Sequence, residues 1–182
     1  FKNGKMHGDG VYKFATSMVY VGHFENDQFN GYGKLTYEDG GFYEGNFLNN
    51  KKNGKGVRFY IHEGTYTGDF VDDLKSGYGK YVTLFGDSFE GNYSKGELNG
   101  EGTAIYNTGK IYRGNWKNGM WDGFGREFDA YNSNMTSEGY YKEGRFNFEI
   151  TESMAKNNSS TRNSNSNTYS TPTNDSNKSD RK

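Results

Sequence analysis

Residues 20–42 read YVGHFENDQFNGYGKLTYEDGGF, and the pattern of this stretch returns every 23 residues. Its paired glycines, Gly31 and Gly33, recur at 8 and 10, 54 and 56, 77 and 79, 100 and 102, and 123 and 125. A second comb, Gly22, Gly45, Gly68, Gly91 and Gly114, leads the pairs by nine. Aromatics flank each of its members: Tyr20/Phe24, Tyr43/Phe47, Tyr66/Phe70, Phe89/Tyr93 and Tyr112/Trp116. A fixed period of this length marks stacked supersecondary units, each able to bury a core only against its neighbours.

Within the stretch, Tyr20, Gly22 and Phe24 alternate at the period of a strand and share one face. The position of Asp27 is filled in other units by Gly4, Asn50, Asp73, Gly96 and Gly119, the residue types that tolerate positive φ, so this column is a turn. Gly31, Gly33, Leu35 and Tyr37 are assigned to one face of a second strand, and Asp39-Gly40 closes the unit. The spacing predicts an all-β fold: an elongated, single-layer antiparallel sheet of consecutive β-hairpins, twisted and curled, roughly 50–60 Å long at ~4.8 Å per strand. Glycine weakens strands, so its recurrence needs a cause. The expectation is that aromatic rings lie across bare glycine backbone.

Working outward, the composition divides the 182 residues near position 150. Hydrophobic residues are 31% and the mean hydropathy is −1.08, which alone leans towards disorder. Aromatics are nevertheless 18%, and all 27 glycines lie before residue 145 in register with them. Aromatic side chains bury about 150–250 Å² each, enough for a thin core. Residues 1–150 are net −3 and form the expected repeat domain of about five full units with partial ends. Residues 151–182 are net +2, contain no glycine and draw 20 of 32 positions from Ser, Thr and Asn. They are expected to be disordered. The register slips at the end, where Gly139-Tyr140-Tyr141 comes two residues late, and Phe146–Ile150 reads as a last edge strand or short cap.

The block Tyr43-Glu44-Gly45-Asn46-Phe47 through Gly54-Lys55-Gly56, and again Tyr112 to Gly125, resembles the MORN (membrane occupation and recognition nexus) repeats. The resemblance covers residues 1 to about 150. It implies a non-catalytic scaffold or adaptor, in some members associated with membranes or the cytoskeleton. It also implies an alternative, because such repeats occur as regulatory segments of phosphoinositide kinases, lysine methyltransferases, junctional membrane proteins and ciliary spoke proteins. Tyr20–Asn26 followed by Phe29–Gly33 is similar to the retinophilin-like group of small members, which implies a cytoskeletal partner such as a motor-protein tail.

The residues themselves argue against catalysis. Gly77-Tyr78-Gly79-Lys80 lacks the Ser/Thr and the following helix of a phosphate loop. His7, His23 and His62 occupy three phases of the repeat without partners at metal-ligand spacing. Asp72-Asp73 share a turn with Lys75, where carboxylates are solvated rather than held at separated pKa values. Cysteine is absent, and no cofactor or metal is expected. The Asn-x-Ser/Thr sequons follow from an Asn- and Ser-rich composition. No apolar run approaches membrane-spanning length, and a cytoplasmic location is the default expectation.

Three functions are weighed. The first is a scaffold that binds an extended or helical protein segment along a groove. Its contact stripe is Tyr32, Phe59, Tyr78, Val82, Ile105, Phe124 and Phe128, on the face opposite the ring–glycine core. The other reading of that stripe is packing under loops or chain ends. The second is acidic-lipid binding through Lys51, Lys52, Lys55 and Arg58, at about 1 kcal/mol per basic residue near a membrane. The third is regulation in cis within a larger enzyme. Nucleic acid is not an expected partner of a net-acidic domain, whereas end-to-end self-association through open sheet edges is plausible.

Overall fold

The computed structural model describes residues 1–165. Thirteen strands follow one another: Gly8–Lys13 (β1), Val19–Glu25 (β2), Gln28–Thr36 (β3), Phe42–Leu48 (β4), Lys51–Tyr60 (β5), Gly64–Val71 (β6), Leu74–Thr83 (β7), Ser88–Ser94 (β8), Glu97–Ile105 (β9), Lys110–Lys117 (β10), Met120–Asp129 (β11), Met135–Lys142 (β12) and Arg145–Phe146 (β13). They form one antiparallel sheet whose spatial order is their sequence order. It is the predicted chain of hairpins, and it is not closed into a barrel.

The tight turns explain the Asp27 column. Asn26 and Asp27 have φ of 51° and 69°, Asn49 and Asn50 50° and 68°, Asp72 and Asp73 47° and 71°. Two successive positive φ values match the twist of a hairpin. Each turn also docks on the preceding unit: the Asn50 N–H donates to Phe29 O at 3.0 Å, and the Phe29 N–H donates to Asn50 Oδ1 at 2.8 Å. Asp73 does the same to Lys52. Where glycine holds the position, at Gly96, Gly119 and Gly144, the backbone bond alone remains.

Glycine forms an unbroken cross-strand line over twelve strands, from Gly10 opposite Gly22 through Gly33, Gly45 and Gly56 to Gly125 opposite Gly139. The tyrosine rings rest on it. A Cβ on Gly33 would lie 2.4–2.7 Å from Tyr20 ring atoms, and one on Gly56 equally close to Tyr43. Tyr20, Tyr43, Tyr66 and Tyr112 are 0% exposed, although the unit Phe1–Asn147 is itself a single sheet. The glycine floor, the neighbouring Phe or Trp edges and, at two units, a stacked ring bury them. Phe29 stacks on Tyr20 at 3.7 Å and Trp121 on Tyr112 at 4.1 Å.

The first glycine of each pair does a different job from the one the alternation suggests. Between the pairs Gly22–Gly33 and Phe24–Phe29, one residue of β2 faces three of β3. The same two-residue bulge recurs between β4 and β5, β6 and β7, β8 and β9, and β10 and β11. Gly31 sits in it with φ of 72°, and its missing Cβ points at His23, away from the rings. Gly31 and Gly33 therefore do not share a face. An insertion of two leaves the alternation of the rest of the strand intact, which is why the period alone conceals it.

The late register at the end has two sources, one residue each. The loop from Asp129 to Asn134 is one longer than that from Tyr106 to Lys110, and the ladder shifts by one between Glu127 and Phe128. Together they return Gly139 to a position opposite Gly125.

The sheet unit ends at Asn147, and the helix Phe148–Asn165 (α1) forms a second unit. The disorder expected of residues 151–182 is therefore not seen over 151–165, and Phe148–Ile150 open a helix rather than ending a strand. No Gly or Pro interrupts this stretch, Glu149 lies in the first turn where a helix favours negative charge, and Glu152 reaches Lys156 at 3.9 Å one turn on. The expected disorder of 166–182 lies outside the described residues.

Candidate functional site

The two faces of the sheet offer different chemistry. On the face opposite the rings, cross-strand neighbours form a continuous row from Val19 through Thr36, Phe42, Phe59, Thr65, Val82, Ser88, Ile105, Ile111 and Phe128 to Met135. Eight of these eleven residues are apolar, and at ~4.8 Å per strand the row is about 48 Å long. It contains Phe59, Val82, Ile105 and Phe128 of the predicted stripe, and sequence reasoning missed Phe42 and Ile111 between them. They fall on the first strand of each hairpin, in a column otherwise filled by Val, Thr and Ser.

Tyr32, Tyr78 and Phe124 belong to another row. Two residues along each strand lie Lys34, Lys80 and Arg126, and this charged line separates the tyrosines from the apolar row. The predicted stripe is thus two stripes. Tyr32 and Tyr78 are 61% and 57% exposed. Tyr78 donates to Glu90 at 2.8 Å, Tyr32 to Glu44 at 3.2 Å, and Lys34 and Lys80 reach the same two carboxylates at 3.3 Å. The hydrogen bond from Tyr78 holds the Glu90 carboxyl below its usual range and raises the phenol. Arg126 pairs with Glu138 at 2.6 Å. The motif of ring, cation and carboxylate therefore recurs every second unit. Between Tyr32 and Tyr78 lies a trough of about 640 Å³, and between Tyr78 and Phe124 one of about 440 Å³.

The four predicted lipid-binding residues are not brought together. Lys51 pairs with Asp72 at 3.2 Å, Lys52 with Asp73 at 3.3 Å and Lys55 with Asp69 at 2.7 Å. Lys51 and Lys55 point to the face of the apolar row, whereas Lys52 and Arg58 point to the ring face. Arg58 lies between Tyr37 at 3.9 Å and Tyr60 at 4.4 Å and donates to Phe42 O and Phe59 O. One basic patch does not form, because alternation sends neighbours in sequence to opposite sides.

The ring face holds its cations among tyrosines. Lys75 places its ammonium within 4.4–5.9 Å of the Tyr60, Tyr66, Tyr81 and Tyr93 ring centres, and burial pulls its pKa down. Among the described residues it has no ion-pair partner. His7 and His23 meet edge to face at 6.3 Å, and His23 Nδ1 lies 3.0 Å from Asp9 on an exposed surface. Asp72 and Asp73 serve as turn and ion-pair residues. Among the described residues no helix is long and apolar enough to cross a membrane.

A family model described as MORN repeat matches residues 1–19, 20–42, 43–60, 66–83, 89–111 and 112–130. After the first, each matched block opens on the residue that leads a hairpin pair: Tyr20, Tyr43, Tyr66, Phe89 and Tyr112. A search of curated proteins finds no match to the chain.

Proposed function

The chain belongs to the MORN-repeat family, whose repeats are interaction modules, and on that premise we propose that it is a non-catalytic scaffold for a protein segment. The observation that carries this reading is the row from Val19 to Met135, eight of whose eleven residues are apolar. Val82, Ile105 and Met135 of this row are exposed and the rest half-buried, and a partner segment laid across the strands would bury what remains open. The charged line beside it supplies a polar rim, with the rings of Tyr32, Tyr78 and Phe124 beyond. This is the arrangement of apolar core, polar border and aromatic anchors that interfaces share.

The occupant is an extended or helical segment of a cytoplasmic protein, with a cytoskeletal component or motor-protein tail as the class implied by the family resemblance. Attachment to acidic membrane is the weaker reading, since the four predicted cations are split between two faces and three of them are already matched by aspartates.

The test replaces Phe59, Ile105 and Phe128 together with Ser. Proteins co-purified with the natural chain are quantified against those retained by the triple variant, with far-UV circular dichroism as the folding control. The expected outcome is loss of the dominant partner with an unchanged spectrum. Equal retention by both forms removes this face from the function.

A further inference from the structure

The fifth unit departs from the others on the ring face. Phe89 takes the place held by Tyr20, Tyr43, Tyr66 and Tyr112, and a different ring cluster grows around it. Phe89, Tyr106, Trp121 and Trp116 form a closed circuit with successive centroid distances of 5.8, 6.2, 6.4 and 6.3 Å. Each ring is steeply inclined to the next, at 88°, 65°, 89° and 86°. With Met120 and two turn glycines they line a pocket of about 320 Å³. A point equidistant from four such centroids lies about 4–5 Å from each, inside the ~6 Å reach of cation–π attraction.

The surrounding charge favours a cation there. The Tyr106 phenol is pushed up by burial, with the carboxylates of Asp87 and Glu127 adding to the effect. Lys110 matches Glu127 and lies 4.7 Å from the Trp121 ring centre, but it is not part of the pocket wall. Asp122 is matched by Lys142 at 2.9 Å. Asp87 has no cationic partner among the described residues. Elsewhere on this face the chain fills its ring clusters with its own cations, Arg58 and Lys75. Here its own cation, Lys110, lies over Trp121 and is held by Glu127, while among the described residues no cation of the chain lies over Phe89, Tyr106 or Trp116.

We propose that the Phe89–Tyr106–Trp116–Trp121 box binds a methylated ammonium, as carried by a trimethylated lysine side chain of a partner protein. A quaternary ammonium spreads its charge over methyl groups that pack on rings and needs no hydrogen-bond acceptor. The Tyr106 hydroxyl is the one side-chain oxygen in the pocket wall. An unmethylated ammonium would bring three donors to a pocket with little to receive them. A choline headgroup carries the same cation but adds a phosphate, which the Asp87 carboxylate opposes. The site lies on the face away from the apolar row, so its failure and the failure of the scaffold reading are separable.

Both tryptophans of the chain are walls of the box, so tryptophan emission reports on it alone. The full chain is titrated with tetramethylammonium, trimethyl-lysine, lysine, phosphocholine and the uncharged choline isostere 3,3-dimethylbutan-1-ol. The expected result is a saturable change with tetramethylammonium and trimethyl-lysine, with lysine and the neutral isostere weaker by about tenfold or more. Tyr106→Leu should weaken binding by a similar factor with an unchanged far-UV spectrum. If that variant loses its fold, the two indole N–H signals of the natural chain provide the measurement, and both must shift selectively with tetramethylammonium. Absence of saturation, or equal response to the neutral isostere, overturns the cation site. Tighter binding of phosphocholine than of trimethyl-lysine overturns the assignment to lysine.

Discussion

The leading rings of two neighbouring units, Tyr66 and Phe89, differ by one oxygen, and the units diverge in structure. Tyr66 lies over Gly68 and Gly79, and its hydroxyl donates to Asp69 O at 3.2 Å. Tyr20, Tyr43 and Tyr112 make the same bond to the carbonyl three residues on, at 2.9, 2.8 and 3.0 Å. That carbonyl sits where the two-residue bulge disrupts the ladder, so the phenol both satisfies the bulge and pins its own ring. Phe89 cannot do this. A Cβ on Gly91 would meet Leu98, and one on Gly102 would meet Trp116, in place of the ring of Phe89. Tyr93 turns its hydroxyl back to Phe89 O at 3.1 Å instead. The Trp116 indole N–H, buried beside Gly102, has no acceptor among the described residues. The hydroxyl, more than the ring, holds the repeat in shape; without it the ring is free to build a pocket.

Alkali attacks this distinction with the largest effect. Burial, with Asp9 adding to it, pushes the Tyr20 phenol up to about 12, and Tyr43, Tyr66 and Tyr112 are raised by burial likewise. An unfolded phenol ionises near ~10. Between pH ~10 and ~12 the unfolded chain therefore binds fewer protons, and the stability present below pH ~10 is lost as pH rises. Lys75, with its pKa lowered by burial, works in the opposite direction but is one group against several. Cooperative unfolding in this window, followed by far-UV circular dichroism and tyrosinate absorbance, is the expected outcome. Tyr66→Phe together with Tyr112→Phe should make stability fall less steeply across this window; an unchanged slope would show that these phenols do not control it.

Next in size is a methyl group added to the glycine line. Gly56→Ala drives a Cβ into the pinned ring of Tyr43 and should cost about 3 kcal/mol in urea unfolding. Gly102→Ala meets Trp116 Nε1 at 3.0 Å and Glu90 O at 3.1 Å and should cost nearer 1 kcal/mol. Equal costs would erase the difference between the two kinds of unit. Exchange of the hydroxyl comes third. Tyr66→Phe should cost about 1–2 kcal/mol, because a carbonyl loses its donor. Phe89→Tyr should draw the ring towards Gly91 and Gly102 and alter tryptophan emission. Unaltered emission would separate the hydroxyl from the placement of the ring. The smallest effect belongs to the surface: Lys55→Ala should change stability by less than about 0.5 kcal/mol and leave vesicle flotation unaltered.

The sequence carried the hairpin order, the turns and the ring–glycine contact, because each is a fixed residue type at a fixed phase. The bulge was hidden, since an insertion of two preserves the alternation from which faces are read. Gly31 was therefore assigned to the wrong side. The split of Tyr32 from Phe59 was legible in the sequence: Lys34 lies at the same parity between Tyr32 and Thr36, so alternation already puts a cation between the two rows. The box left a visible trace in the reversed order of Phe89 and Tyr93, but its four walls span 33 residues of chain and come from β8, β10, β11 and the loop before β10. The helix was missed because composition measures what a segment can bury, whereas α1 is marked by local charge placement, Glu149 in its first turn and the Glu152–Lys156 pair.

The glycine line has a consequence for length. Each 23-residue block adds two glycines to its own strand pair and hands the next block the same unpaired edge. Removing or duplicating one block therefore leaves every surviving contact in phase. The molecule can be shortened or extended in increments of about 10 Å, two strands at a time. The number of blocks thus sets the distance between the first and last strands of the sheet.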